Sequence, residues 1–103
     1  MMNEIFIGLE AKEPEANRLR SWQVEAGPDL FGVWTVKVCF GRIGTVGRTV
    51  RHDFASEAEV QSFVRAKLRR RRTAPRRIGV AYRAIAASPI ARPLLQLTGF
   101  ADP

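Results

Sequence analysis

From Val33 to Phe54 the apolar side chains return at every second position, and one stretch interrupts them: Phe40-Gly41-Arg42-Ile43-Gly44-Thr45-Val46-Gly47. Before it, Trp34, Val36, Val38 and Phe40 fall on one side, and Val33, Thr35, Lys37 and Cys39 on the other. After it, Val50, His52 and Phe54 share a side opposite Thr49, Arg51 and Asp53. A period of two is a strand, and two strands joined by a short glycine-bearing connection form a hairpin. Glycine takes positive φ without steric cost, so the tip bends sharply. Arg42 and Arg48 bracket it, which lets another molecule approach the backbone with a guanidinium on each side. Both flanks are strands, so neither the Gly-x-x-Gly loop of KH domains nor the dinucleotide glycine turn applies. A plain solvated turn is the simple alternative.

Around this hairpin the pattern predicts strands at residues 4–9 and 18–25, separated by an acidic turn over 10–16 that contains Pro14. Gly27-Pro28-Asp29 is turn chemistry. Ser56 opens a helix: Ser56 and Glu59 have capping-box spacing, and Glu57 and Glu59 suit the positive end of the helix dipole. Val60, Phe63, Val64 and Leu68 follow as one apolar stripe that packs across a sheet face. Arg69 to Arg72 close the helix, and Pro75 limits its continuation. Residues 78–85 form a last strand or a short helix. Beyond them Pro89 and Pro93 break the chain, while Leu94, Leu95, Leu97 and Phe100 are too apolar for a solvated tail. They cover the core or meet a partner. The predicted architecture is α+β: a twisted antiparallel sheet of four to five strands with one α-helix packed across a face. Residues 1–83 form the domain and 84–103 a C-terminal segment whose order the sequence leaves open.

The chain of 103 residues is 46% hydrophobic, which is enough for one packed domain and argues against wholesale disorder. No run approaches the roughly 20 apolar residues of a membrane span, and the N-terminus lacks the pattern of a secretory signal. A single cysteine excludes a disulfide within the chain, and Cys39 is expected to be a small buried hydrophobe. The expected location is the cytoplasm. The net charge of +7 is concentrated: residues 65–77 hold eight basic groups, and the remaining ninety residues hold nine basic and ten acidic ones. A helix C-terminus accounts for two or three cations. The excess points to a polyanion.

Catalytic chemistry is sparse. One His and one Cys give no zinc spacing, and neither a metal nor another cofactor is expected. Cys39 and His52 lie on strands that neighbour each other but have no evident orienting partner, so the chain is not expected to be an enzyme. His52 is expected to be half-buried and structural, and Trp22 and Trp34 to be core residues.

Asp29-Leu30-Phe31-Gly32-Val33-Trp34, followed by Phe40-Gly41-Arg42-Ile43-Gly44-Thr45 and Gly47, resembles the WGR domain, a family named for a Trp-Gly-Arg signature. It occurs in DNA-dependent poly(ADP-ribose) polymerases and in small or multidomain bacterial proteins. Asn17 before the Trp22 strand and the helix from Ser56 to Lys67 extend the resemblance over about residues 3 to 72. The sequence departs from the family at Phe40, which stands in place of the signature tryptophan. It also departs after Lys67, where the usual basic-Gly-Tyr ending is only loosely echoed by Gly79 and Tyr82. In the polymerases the signature Trp and Arg meet a broken DNA end. The resemblance therefore implies that Phe40 stacks on a terminal sugar or base and that Arg42 meets a phosphate. It also implies a relay to a catalytic domain, which here requires a separate protein partner.

The expected function is non-enzymatic, sequence-independent nucleic-acid binding, with DNA favoured over RNA and with ends or nicks as candidate targets. The candidate contacts are Phe40, Arg42, Arg48, Lys67, Arg69, Arg70, Arg71, Arg72, Arg76 and Arg77. The alternative is a protein-interaction module in which the Arg-rich segment docks on an acidic partner. No membrane partner is expected.

Overall fold

The computed structural model describes residues 4–103. Five strands, β1 (Ile5–Glu13), β2 (Arg18–Pro28), β3 (Trp34–Arg42), β4 (Arg48–Phe54) and β5 (Arg83–Ala87), form one antiparallel sheet in the order β4-β3-β2-β1-β5. Helix α1 (Glu57–Arg72) lies across one face. Two short helices, α2 (Ala74–Ile78) and α3 (Arg92–Leu97), complete the α+β fold.

Register decides which side chains meet. Trp22 pairs with both Leu9 and Phe40, Val24 with Ile7 and Val38, and Ala26 with Ile5 and Val36. Residues directly opposite one another point to the same face, so one face collects Ile5, Ile7, Leu9, Trp22, Val24, Ala26, Val36 and Val38. All are buried against Val60, Val64 and Leu68 of α1. Trp34 and Phe63 sit at the margin of this core, and His52 packs between Phe54 and Phe63, with its ring centroid 4.7 Å from that of Phe63.

The first hairpin is longer than its apolar pattern. β1 runs on to Glu13 and β2 begins at Arg18, because Glu10 to Glu13 pair with Arg18 to Ser21 although no apolar alternation marks them. The predicted turn over 10–16 shrinks to a 3-10 turn at Pro14–Ala16, closed by Asn17 in the left-handed region at φ 55°. Among the residues predicted as strand or short helix, α2 ends at Ile78 and β5 starts at Arg83, with an irregular link between them.

Ser56 caps α1 by accepting the Glu59 N–H at 3.3 Å. The Glu59 carboxylate accepts the N–H of Ala55, one residue before the cap, at 2.9 Å. This is a capping box shifted by one donor. Cys39 is half-buried on the uncovered face, beside the Val46 carbonyl at 3.7 Å, and is not a core hydrophobe. His52 lies on the covered face, so the sheet separates it from Cys39 and the two do not form a nucleophile–base pair.

Residues 84–103 contribute to both sheet and core. β5 pairs with β1 across a bulge at Gly8/Leu9. Ser88 holds the end of this strand: its Oγ accepts from Phe6 N at 2.9 Å and donates to Glu4 O at 3.0 Å. Leu94, Leu95 and Phe100 enter the core cluster. Replacing a fully buried Leu leaves a cavity, so Leu95→Ala should cost about 2–5 kcal/mol. The exposed Leu97→Ala should stay within about 0.5 kcal/mol. Urea denaturation of both variants checks the contrast.

Candidate nucleic-acid interface

The hairpin tip shows why glycine is needed at its base. A Cβ on Gly41 would fall 2.8 Å from Gly47 Cα, and one on Gly47 would fall 2.7 Å from the Phe40 carbonyl oxygen. The two backbones touch, which draws Arg48 directly across from Phe40. Thr45 closes the turn through its N–H and its hydroxyl, both donated to Arg42 O.

Phe40 is the last aromatic of the covered face and is 36% exposed, because α1 crosses the sheet and leaves this end open. The helix phase determines what surrounds it. With Leu68 pointing into the core, the 100° step per residue puts Lys67 and Arg71 on the flank facing β3 and β4. It puts Arg72 and Arg69 on the other flank, and Arg70 outward. The structure follows this division. Val38, Phe40 and Val50 floor a groove of about 370 Å³ rimmed by Arg48, Lys67 and Arg71. On the other side of Phe40, Arg20, Arg71, Arg77 and Tyr82 line a second recess of about 170 Å³.

Arg71 joins the two recesses. Its guanidinium carbon lies 5.1 Å from the Trp22 ring centroid, a cation–π contact with the buried indole. Burial lowers its pKa, with Arg77 and Arg70 adding to the effect and Tyr82 opposing it. An arginine remains protonated regardless, so the shift marks a charge that has lost water and has cations for neighbours. Among the described residues the ion pairs are Lys12–Glu10, Arg18–Glu13 and Arg51–Asp53. None involves a cation of the groove or the recess.

The other candidate residues are placed differently. Arg42 turns to the first hairpin, donating to Asn17 Oδ1 at 2.7 Å and to Asn17 O at 3.4 Å. Arg72 lies over the Phe100 ring at 5.8 Å. Arg77 donates to the Arg70 carbonyl at the end of α1. Arg69, Arg70 and Arg76 are exposed away from the groove. Arg20 and Tyr82 are additions that the charge clustering did not mark. Arg20 is legible in retrospect, two residues before Trp22 on the same strand face. Tyr82 reaches the recess only because α2 folds the chain back.

No helix among the described residues is long and apolar enough to cross a membrane, and none of their His, Cys, Asp and Glu side chains gather in a group able to hold a metal. The fold and site together define a small α+β domain with an exposed aromatic set among uncompensated cations. The family model of the WGR domain matches residues 6–74, and the chain belongs to that family. Its members are generally nucleic-acid-binding modules in poly(ADP-ribose) polymerase-like proteins. β5 and α3 lie beyond the matched residues. Comparison with curated proteins gave no match.

Because Arg42 ties β3 to the first turn, Arg42→Ala should lower stability by about 1 kcal/mol, the scale of one net hydrogen bond. Asn17→Gly keeps the backbone conformation accessible and should lose a similar amount. The double variant should lose little more than either single one. Chemical denaturation of the three proteins tests this cycle.

Proposed function

We propose that the domain binds nucleic acid without reading base sequence, prefers DNA to RNA, and engages an end or nick at Phe40. The observation that carries this reading is the half-open Phe40 ring between two recesses whose cations, Arg20, Arg48, Lys67, Arg71 and Arg77, have no carboxylate partner among the described residues. Phosphates supply the missing anions, and a terminal base or sugar supplies a face for the ring. At an end or nick a base or sugar is unstacked and free to meet an aromatic; in continuous duplex it is not. Arg69, Arg70 and Arg76 add attraction at longer range, while Arg42 and Arg72 support the surface from behind. Cations dominate the rims of the recesses, which favours backbone and shape recognition. On this reading the domain works in a bacterial cytoplasm and carries out no reaction itself.

Fluorescence anisotropy with intact duplex, nicked duplex and single-stranded RNA across a salt series tests the proposal. Each phosphate neutralised on duplex contributes about −0.9 to the slope of log K against log salt, so Arg71→Gln should reduce that slope by about one. Phe40→Ala should cost about 1–3 kcal/mol on the nick and little on intact duplex. Phe40→Trp should restore or exceed the original affinity. Failure to bind any of the three at low salt would overturn the proposal and leave the cations to an acidic protein.

A further inference from the structure

The end of the molecule opposite Phe40 has the complementary character. The loop from Pro28 to Trp34 exposes Leu30 to 93% and Phe31 to 90%. These side chains are held on a rigid mount. The Asp29 carboxylate accepts from Phe31 N at 2.8 Å and Val33 N at 3.0 Å, Asp29 N donates to Val33 O at 2.8 Å, and Gly32 turns the chain at φ 79°. Single exposed apolar residues are ordinary. Two adjacent ones on a preorganised tip lose little further freedom on docking.

The surroundings narrow the choice of occupant. Residues 21–34 and 53–64 contain no Lys or Arg; of their carboxylates Asp53 pairs with Arg51 and Glu25 lies across from Lys37, which leaves Asp29, Glu57 and Glu59 as the acidic set around the loop. Trp34 pairs with both Pro28 and Phe54, so this loop, the end of β4 and the start of α1 lie at one end of the sheet. An acidic end repels nucleic acid and anionic lipid. It suits a protein surface with an apolar floor and a basic rim, and the Phe40 groove of this chain has that composition: Val38, Phe40 and Val50 below, Arg48, Lys67 and Arg71 around. The tip cannot reach its own groove. Six residues of β3 separate the two ends, about 20 Å at strand rise, in a molecule 47 Å long.

We propose that the Leu30–Phe31 tip of one copy docks in the Phe40 groove of the next. The contact is heterologous, so it propagates as an open head-to-tail chain and competes with nucleic acid for the groove. The self-association does not rest on the nucleic-acid reading, although the competition does.

Sedimentation velocity in 0.1 M salt, where charges beyond about 10 Å are screened and net repulsion is damped, should show the average mass rising above 11.6 kDa with concentration. The Leu30→Ser/Phe31→Ser variant should remain monomeric at every concentration, and so should Arg48→Glu/Lys67→Glu. Mixed together, these two should form one-to-one dimers and nothing larger, since the mixture contains one working tip and one working groove per pair. The tip variant should still bind duplex DNA, and DNA should dissociate assemblies of the parent protein. Concentration-independent mass for the parent, persistent association of the tip variant, or a mixture that stays monomeric would each overturn the proposal. Assemblies that form as expected but resist DNA would leave the docking intact and count against the shared groove.

Discussion

The phase of α1 on the sheet is the constraint on which the rest depends. Val60, Val64 and Leu68 are each fully buried, and three such side chains at helical spacing allow one rotational setting. Once that setting is fixed, Lys67 and Arg71 must hang over the open end of β3 and β4, and Arg72 must face away toward Phe100. Turning the helix by one residue would move every cation by 100° and withdraw the stripe from the core. The stripe is therefore what holds the cations in place, and the order in which Arg follows Arg has little bearing on which of them reach the groove.

This explains which parts were legible in the sequence. Alternation along β3 and β4 identified the hairpin and its faces, and the cap at Ser56 with the stripe after it identified α1. The polar half of the first hairpin was not legible, because Glu10 to Glu13 are held in β1 mainly by backbone pairing with β2, with Ala11 the one small side chain buried there. The last strand was ambiguous for a related reason. β5 is five residues long, and its extended conformation depends on β1 lying beside it. At the candidate site, charge density marked a segment but did not sort its members by the side of the helix they occupy. Arg69 and Lys67 look equivalent as charges in a row and differ only once Leu68 is known to point inward. Arg42 has a structural contact that its motif did not mark. Its place in a signature-like stretch suggested contact with a ligand, whereas its nearest partner is the left-handed Asn17 of a different turn.

The C-terminal residues have a mechanical relation to the same surface. Gly99, at φ 89°, turns the chain after α3 so closely that a Cβ there would lie 2.9 Å from Arg72 Nε. Phe100 then enters the core beneath the Arg72 guanidinium. The Arg72 flank of α1 thus packs on Phe100, and the groove flank remains open. A segment lying beyond the family match completes the core and pins the last turn of the helix that carries Lys67 and Arg71.

Two unfavourable features occur at one place, and stability alone does not account for either. The Trp22 indole N–H is buried with no acceptor among the described residues, an omission that costs about 1–3 kcal/mol in a protein interior. Directly over that ring sits Arg71, partly desolvated and close to Arg70 and Arg77. A carboxylate at exposed Arg20 would relieve Arg71 and is sterically available, since that side chain is already long and polar. It would also cut the net charge of the recess beside Phe40 from the three cations Arg20, Arg71 and Arg77 to a single positive charge and weaken its attraction for anions. Chains depart from locally optimal choices mainly where function requires it. Both of these departures fall beside the exposed aromatic, and a phosphate bound there would supply the anion that Arg71 lacks.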